Sequence, residues 1–218
     1  MKARTSLKEE VYNKLKTSII NGELGPGEKL SEMELSHSLN VSRTPIREAF
    51  RQLQTEDFIT VVSNRGAFVS KLPTEKISEI YNVISLLEGY SAELAAKFCS
   101  RSKVMQLQSL QTELIQCASA KEYREYMERN TVFHRFIAEM SGNETLTRTI
   151  AELRTKVFRY RFISVTIPGF LDRYALDHER IVDAISSGNA GKARKYMRDH
   201  VQFVKEVLVS FLKEQQGQ

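Results

Sequence analysis

Apolar residues recur at helical spacing near the start of the chain. Val11, Leu15, Ile19 and Ile20 mark one face of a helix over residues 7–21. The run Gly22-Glu23-Leu24-Gly25-Pro26-Gly27 then breaks the helix and turns the chain. Ser31 caps a short helix over 32–39, with Glu34 at the capping-box position. Asn40-Val41 is a tight link to a third helix, capped by Ser42 and running to about Thr55. Residues 58–62 and 67–70 read as two short strands, joined by the turn Ser63-Asn64-Arg65-Gly66.

From Thr74 onward the pattern is helical almost throughout. It predicts six helices over 75–98, 103–118, 120–141, 144–163, 170–187 and 190–215. The break between the two textures is Lys71-Leu72-Pro73-Thr74. Pro73 disfavours helix in the residue before it, and Thr74 is placed to cap the next helix. The expectation is a mainly α chain of two domains, residues 1–72 and 73–218. The first is a winged helix-turn-helix and the second an antiparallel six-helix bundle.

Composition narrows the classes. The 218 residues include 41% hydrophobic and 27% charged residues, enough for real cores in a soluble protein. A net charge of +5 permits nucleic-acid binding without establishing it. The chain holds no run of 18 apolar residues and no apolar leader at Met1–Glu10, so a cytoplasmic protein without membrane contact is expected. Cys99 and Cys117 do not form a Cys-x-x-Cys pair and read as reduced thiols.

The segment Leu30–Leu53 has helix-turn-helix arithmetic. Met33, Leu35 and Leu39 face inward from the short helix, with Val41 beneath the turn. Ile46, Ala49, Phe50 and Leu53 form the buried face of the next helix, leaving Arg43, Thr44, Arg47 and Arg51 outside. Arg43 and Arg47 lie four apart on one face, and arginine pairs in a bidentate way with guanine. Ser42, Thr44 and the free N–H groups of the helix start suit a phosphate. Arg65, at the tip of the wing, is placed for the backbone or the minor groove. A solvated basic face would carry the same arginines, and the order of helix, turn, helix and wing favours DNA. The candidate DNA contacts are Ser31, Ser42, Arg43, Thr44, Arg47, Arg51, Arg65 and Gly66.

These residues resemble the GntR family of regulators. The resemblance rests on Gly25-Pro26-Gly27, Leu30-Ser31-Glu32, Val41-Ser42-Arg43-Thr44-Pro45-Ile46-Arg47-Glu48-Ala49, Leu53 and Gly66. It implies DNA contacts from Ser42, Arg43, Thr44, Arg47 and the wing at Gly66. Some members use an arginine where this chain has Met33, so that contact is missing here.

Three of the four histidines, His134, His178 and His200, fall in the helical half. His178 is 10 residues before Gly188 and His200 is 12 after it. At 1.5 Å per residue both stand about 15–18 Å from the turn, at similar heights on an antiparallel helix pair. Asn130 precedes His134 by four residues on the same face. Each histidine alone also fits an ordinary hydrogen-bonded helix residue. Three of them converging would form a polar pocket suited to zinc, nickel or a similar divalent ion.

Phe133-His134, Ser141-Gly142-Asn143, the run His178–Ile185, Gly188, Ala193 and His200 resemble the FCD-type effector domain of the FadR subfamily, in its six-helix, VanR-like branch. That resemblance implies a metal held by three histidines and an acidic residue, with a small carboxylic acid as ligand. The histidines match His134, His178 and His200, but the acidic position is Asn130. Its neutral carbonyl leaves the metal charge uncompensated, which favours an anionic ligand. The family often carries an arginine four residues before Glu88, where this chain has Ile84. Arg154, Arg159 and Arg161 are candidates for that role, although exposed salt bridges are the plainer reading.

The leading expectation is a homodimeric regulator, not an enzyme, that binds a palindromic double-stranded operator under control of a small organic acid. Two rivals stay open. One is a metalloenzyme fused to a DNA reader, against which no H-E-x-x-H motif appears. The other is a DNA-binding protein whose bundle only dimerises.

Overall fold

The computed structural model describes residues 6–20, 22–98, 100–165, 167 and 169–216, excluding the side chains of 159, 162, 163 and 216. The chain divides into two compact units, with the boundary between Leu72 and Pro73.

The first unit is built from α1 (Leu7–Ile20), β1 (Lys29–Leu30), α2 (Glu32–Leu39), α3 (Arg43–Thr55), β2 (Ile59–Val62) and β3 (Gly66–Val69). Ile46, Ala49, Phe50 and Leu53 recur at helical spacing on α3 and are buried against Val11, Leu15 and Ile19 of α1. Ser31 caps α2, accepting the Glu34 N–H at 3.3 Å, and Asn40 ends it in the left-handed conformation at φ 52°. The sheet has the order β1-β3-β2, antiparallel throughout, and Val62 pairs with Gly66 across the wing turn. The pattern missed β1: its two residues have no alternation of their own and become strand only by pairing with Ala67 and Phe68.

The second unit comprises α4 (Thr74–Phe98), α5 (Arg101–Ser119), α6 (Tyr123–Met140), α7 (Glu144–Val165), α8 (Phe170–Ser186) and α9 (Ala190–Gln216). Thr74 is the first residue of α4 rather than its cap, since Ile77 N–H already bonds to Pro73 O. Helix α4 is central, packing on α6, α7 and α8 and running longest against α9. Gly89 permits that approach, because a Cβ there would strike the Arg198 side chain and lie 3.2 Å from Arg194 O. Gly188, at φ +69°, makes the turn between α8 and α9. Among the described residues no helix is long and apolar enough to cross a membrane. Cys117 is a buried free thiol, and Cys99 lies outside the described residues.

Candidate functional site

The first unit presents its polar groups along the start of α3. Ser42 has an extended backbone (φ −68°, ψ 167°), and its hydroxyl makes no capping bond to the helix. Arg43, Thr44, Arg47 and Arg51 are all exposed, while their neighbours Ile46, Ala49 and Phe50 are buried. Arg47 Nε–H donates to Glu32 Oε2 at 2.8 Å, tying α3 to the start of α2. Both stand at an open groove of about 750 Å³ also lined by Lys29, Ser31, Arg51 and Arg65. Arg65 N–H donates to Val62 O at 3.0 Å, and Gly66, at φ +98°, closes the wing turn in a conformation that disfavours side chains. Met33 is 55% exposed on α2, so it does not face inward as its spacing suggests, whereas Leu35, Leu39 and Val41 are partly buried against the core.

The second unit has a polar centre inside its core. His134 of α6, His178 of α8 and His200 of α9 are 1%, 0% and 2% exposed. Their ring centroids are 4.7 Å apart for His178 and His200, 5.3 Å for His134 and His200, and 5.5 Å for His134 and His178. One ligand nitrogen from each lies within 4.8 Å of the other two. Phe133 and Tyr174 wall the group, with centroids 4.6 Å from His178 and 4.9 Å from His200. The heights counted from Gly188 therefore meet as helical rise requires.

Burial is the first cause that keeps these rings neutral. It lowers His134 well below the ordinary histidine value, and the nearby Arg154 charge adds to it. It lowers His178 likewise, followed by His200 and His134. At His200 burial outweighs the opposing pull of Asp177. Neutral imidazoles keep the lone pairs that a metal ion needs.

Two carboxylates stand behind the rings. His134 Nδ1 lies 2.9 Å from Glu88 Oε2, close but short of an aligned hydrogen bond. His200 Nδ1 lies 3.7 Å from Asp177 Oδ2. Backing of one ring nitrogen by a carboxylate directs the other inward, the usual support of a metal-binding histidine. Glu88 is also gripped by Arg154 of α7 through Nε and, at 2.6 Å, through Nη2. Burial alone would raise the Glu88 carboxyl, but Arg154 and then His134 hold it well below the usual carboxylate range.

Around this centre, buried polar atoms have no hydrogen-bond partner among the described residues. They include Tyr81 Oη, Ser85 Oγ, Tyr126 Oη, both amide atoms of Asn130, His134 Nε2, both ring nitrogens of His178 and Arg161 Nη1. A buried polar atom left unsatisfied costs about 1–3 kcal/mol, so these atoms call for partners such as water, an ion or a ligand. The donor set fits a divalent ion: three neutral nitrogens with free lone pairs, and an amide oxygen one turn from His134.

Arg154 and Arg161 do not form exposed salt bridges. Arg154 is committed to buried Glu88, and Arg161 is 5% exposed. The side chain of Arg159 lies outside the described residues. Glu88 is the residue that sequence reasoning missed. Its signal was a charge on the apolar stripe of α4, one turn after Ile84 and on the face that carries Ile77.

Two family models match the chain. "Bacterial regulatory proteins, gntR family" covers residues 7–69, and "FCD domain" covers residues 79–203. The chain belongs to the FCD-bearing GntR regulators. It is 29% identical to the HTH-type transcriptional repressor RspR of Escherichia coli, over 91% of this chain and 87% of that one. It is 26% identical to YdhC of Bacillus subtilis, an uncharacterised HTH-type regulator, over 88% and 86% of the two chains. Escherichia coli McbR/YncC has the same fold, with a TM-score of 0.80, 22% identity and coverage of 96% and 100%. GntR proteins with this domain pair are transcriptional regulators, so the metalloenzyme reading falls away.

Proposed function

We propose that the chain is a cytoplasmic, homodimeric transcriptional repressor whose hold on a palindromic operator is controlled by a small organic acid bound in the helical unit. The observation that carries this is the buried meeting of His134, His178 and His200, near polar atoms that have no hydrogen-bond partners among the described residues. A core with no ligand to bind would gain stability from apolar residues at these positions. The membership of the GntR family supports the DNA-binding half, and the name of RspR supports repression.

Ser42, Arg43, Thr44, Arg47, Arg51, Arg65 and Gly66 form the DNA face, with Ser31 beside them in the groove. Arg43 and Arg47 read bases from the start of α3, while Ser42, Thr44 and Arg65 engage the backbone. Two copies present two such helices to the halves of a palindrome. A divalent ion, zinc or nickel, is held by His134, His178 and His200, with Asn130 offering a neutral oxygen. When bound, the ion supplies a positive charge to an anionic effector. The residues themselves orient the ligand and exclude water from it.

The test is thermal unfolding of the full chain against a panel of small organic acids, before and after chelator treatment. A ligand of the folded state at 100 times its dissociation constant adds about 2.7 kcal/mol. Stabilisation that the chelator removes supports the reading. Stabilisation that survives it keeps the effector and discards the metal. A flat response favours a bundle that only dimerises.

A further inference from the structure

A second group of metal-ligating side chains lies where α5 hands over to α6. Cys117 stands in the last turn of α5, Glu122 is the N-cap of α6, and Glu125 lies in its first turn. The connection is tight: Lys121 adopts a left-handed φ of 57°, and Glu122 N–H donates to Cys117 O at 3.0 Å. One ligand atom from each side chain, a thiol sulfur and two carboxylate oxygens, lies within 4.8 Å of the other two. Glu125 is nine positions before His134 on α6, about 14 Å along the helix, and the group shares no side chain with the histidine centre.

Acidic residues at a helix start are ordinary, because the helix dipole favours them there. A buried cysteine is ordinary too, as a small apolar residue. Here the two meet. Cys117 is 7% exposed, its thiol has no hydrogen-bond partner among the described residues, and it is aimed at the two carboxylates. Glu122 sits at the N-cap, yet its side chain makes no capping bond to the helix. Glu125 holds Arg129 at 3.2 Å, but Arg129 is also paired with Glu113, so its charge is divided between two carboxylates. Burial raises the thiol above its ordinary value, and the Glu125 and then the Glu122 charges raise it further. A thiophilic cation relieves that crowding of negative charge beside a soft donor. At a tetrahedral zinc ion, with bonds of about 2.3 Å to sulfur and 2.0 Å to oxygen, sulfur and oxygen stand about 3.5 Å apart. Glu122 and Glu125 are exposed and close the remaining gap by a change of rotamer, while the buried cysteine stays fixed.

We propose that Cys117, Glu122 and Glu125 form a second metal site, which takes a thiophilic divalent ion such as zinc or cadmium. The thiol gives its proton to solvent as the metal–sulfur bond forms, and water completes the coordination shell. The site is independent of the histidine centre and of the effector reading. An ion held there clamps the end of α5 to the start of α6, the helix that carries His134.

The test uses the full-length protein and cadmium as the probe, because its bond to a thiolate gives an ultraviolet charge-transfer absorption that nitrogen and oxygen ligands do not. Titrations compare the parent with Cys117→Ser, Cys99→Ser, Glu122→Gln and Glu125→Gln. The expected result is that the absorption rises to saturation in the parent and in Cys99→Ser and is absent in Cys117→Ser. Each glutamine variant should bind at least about 10-fold more weakly, the least that loss of a supporting group costs a metal site. Both glutamates are exposed, so their variants keep the parent's fold and decide the matter even if Cys117→Ser is destabilised. Absence of the absorption in the parent would overturn the proposal, as would its survival in Cys117→Ser. Saturation of either glutamine variant at the parent's cadmium concentration would also overturn it, leaving a thiol that binds metal on its own.

Discussion

Arg154 of α7 holds the buried carboxylate of Glu88 of α4 with two N–H donors, and Glu88 in turn stands 2.9 Å from the His134 ring. This makes Glu88 the link between the charge balance of the core and the orientation of one imidazole. Glu88→Gln removes the counter-ion but keeps the size. Breaking a buried pair in this way should cost about 3–5 kcal/mol of stability. Loss of the carboxylate behind His134 should weaken metal binding roughly 10- to 100-fold. Denaturant titration and elemental analysis read the two effects, and unchanged values in both would deny Glu88 this role.

On the DNA face, Arg47→Ala should weaken specific duplex binding by about 1–3 kcal/mol. Arg47 is 61% exposed on its side chain, so loss of its Glu32 contact should change fold stability by less than about 1 kcal/mol. Glu32→Gln tests the same contact from the other side. It removes a negative charge from the groove and should tighten binding modestly, with Arg47 released toward the duplex. Fluorescence anisotropy checks both, and weaker binding by Glu32→Gln would show that the ion pair orients Arg47 for DNA.

Acid should destabilise the metal-free protein. His134, His178 and His200 all have folded values below the ordinary 6.5, with burial as the first cause. They take up protons on unfolding, so the unfolded state binds more protons and stability rises with pH across this window. The contribution is whole above about pH 6.5 and is lost progressively as pH falls below it. Glu88, also lowered, adds a loss of the same sign in more acidic solution. Melting temperature followed from pH 8 to pH 5 should fall through this range. A flat profile would mean that the imidazoles are not held neutral in the core.

Much of this was legible from the chain. The helical rise counted from Gly188 places His178 and His200 side by side because both helices are regular up to the turn. The buried face of α3 was readable from Ile46, Ala49, Phe50 and Leu53, because helical spacing and burial coincide there. What the chain concealed depends on partners far away in sequence. β1 exists only through pairing with β3, and Glu88 belongs in a core only because Arg154, 66 residues later, neutralises it. Arg161 looked like a surface charge for the same reason: nothing in its local pattern tells that α7 turns that position inward.

The histidines can be tested as a unit. The double substitution His178→Ala and His200→Ala should abolish uptake of zinc or nickel by the full chain while leaving its DNA affinity without effector intact. Elemental analysis after dialysis reads the first and anisotropy the second. Metal content equal to the parent would place the ion elsewhere.

The most direct test of the account is the affinity of the full chain for a duplex selected from a random pool, measured with and without an acid that stabilises the protein. The account predicts that the acid changes this affinity by about 5- to 150-fold and that prior chelation removes the change. Equal affinity under all conditions would contradict it, leaving a DNA reader joined to a bundle that senses nothing.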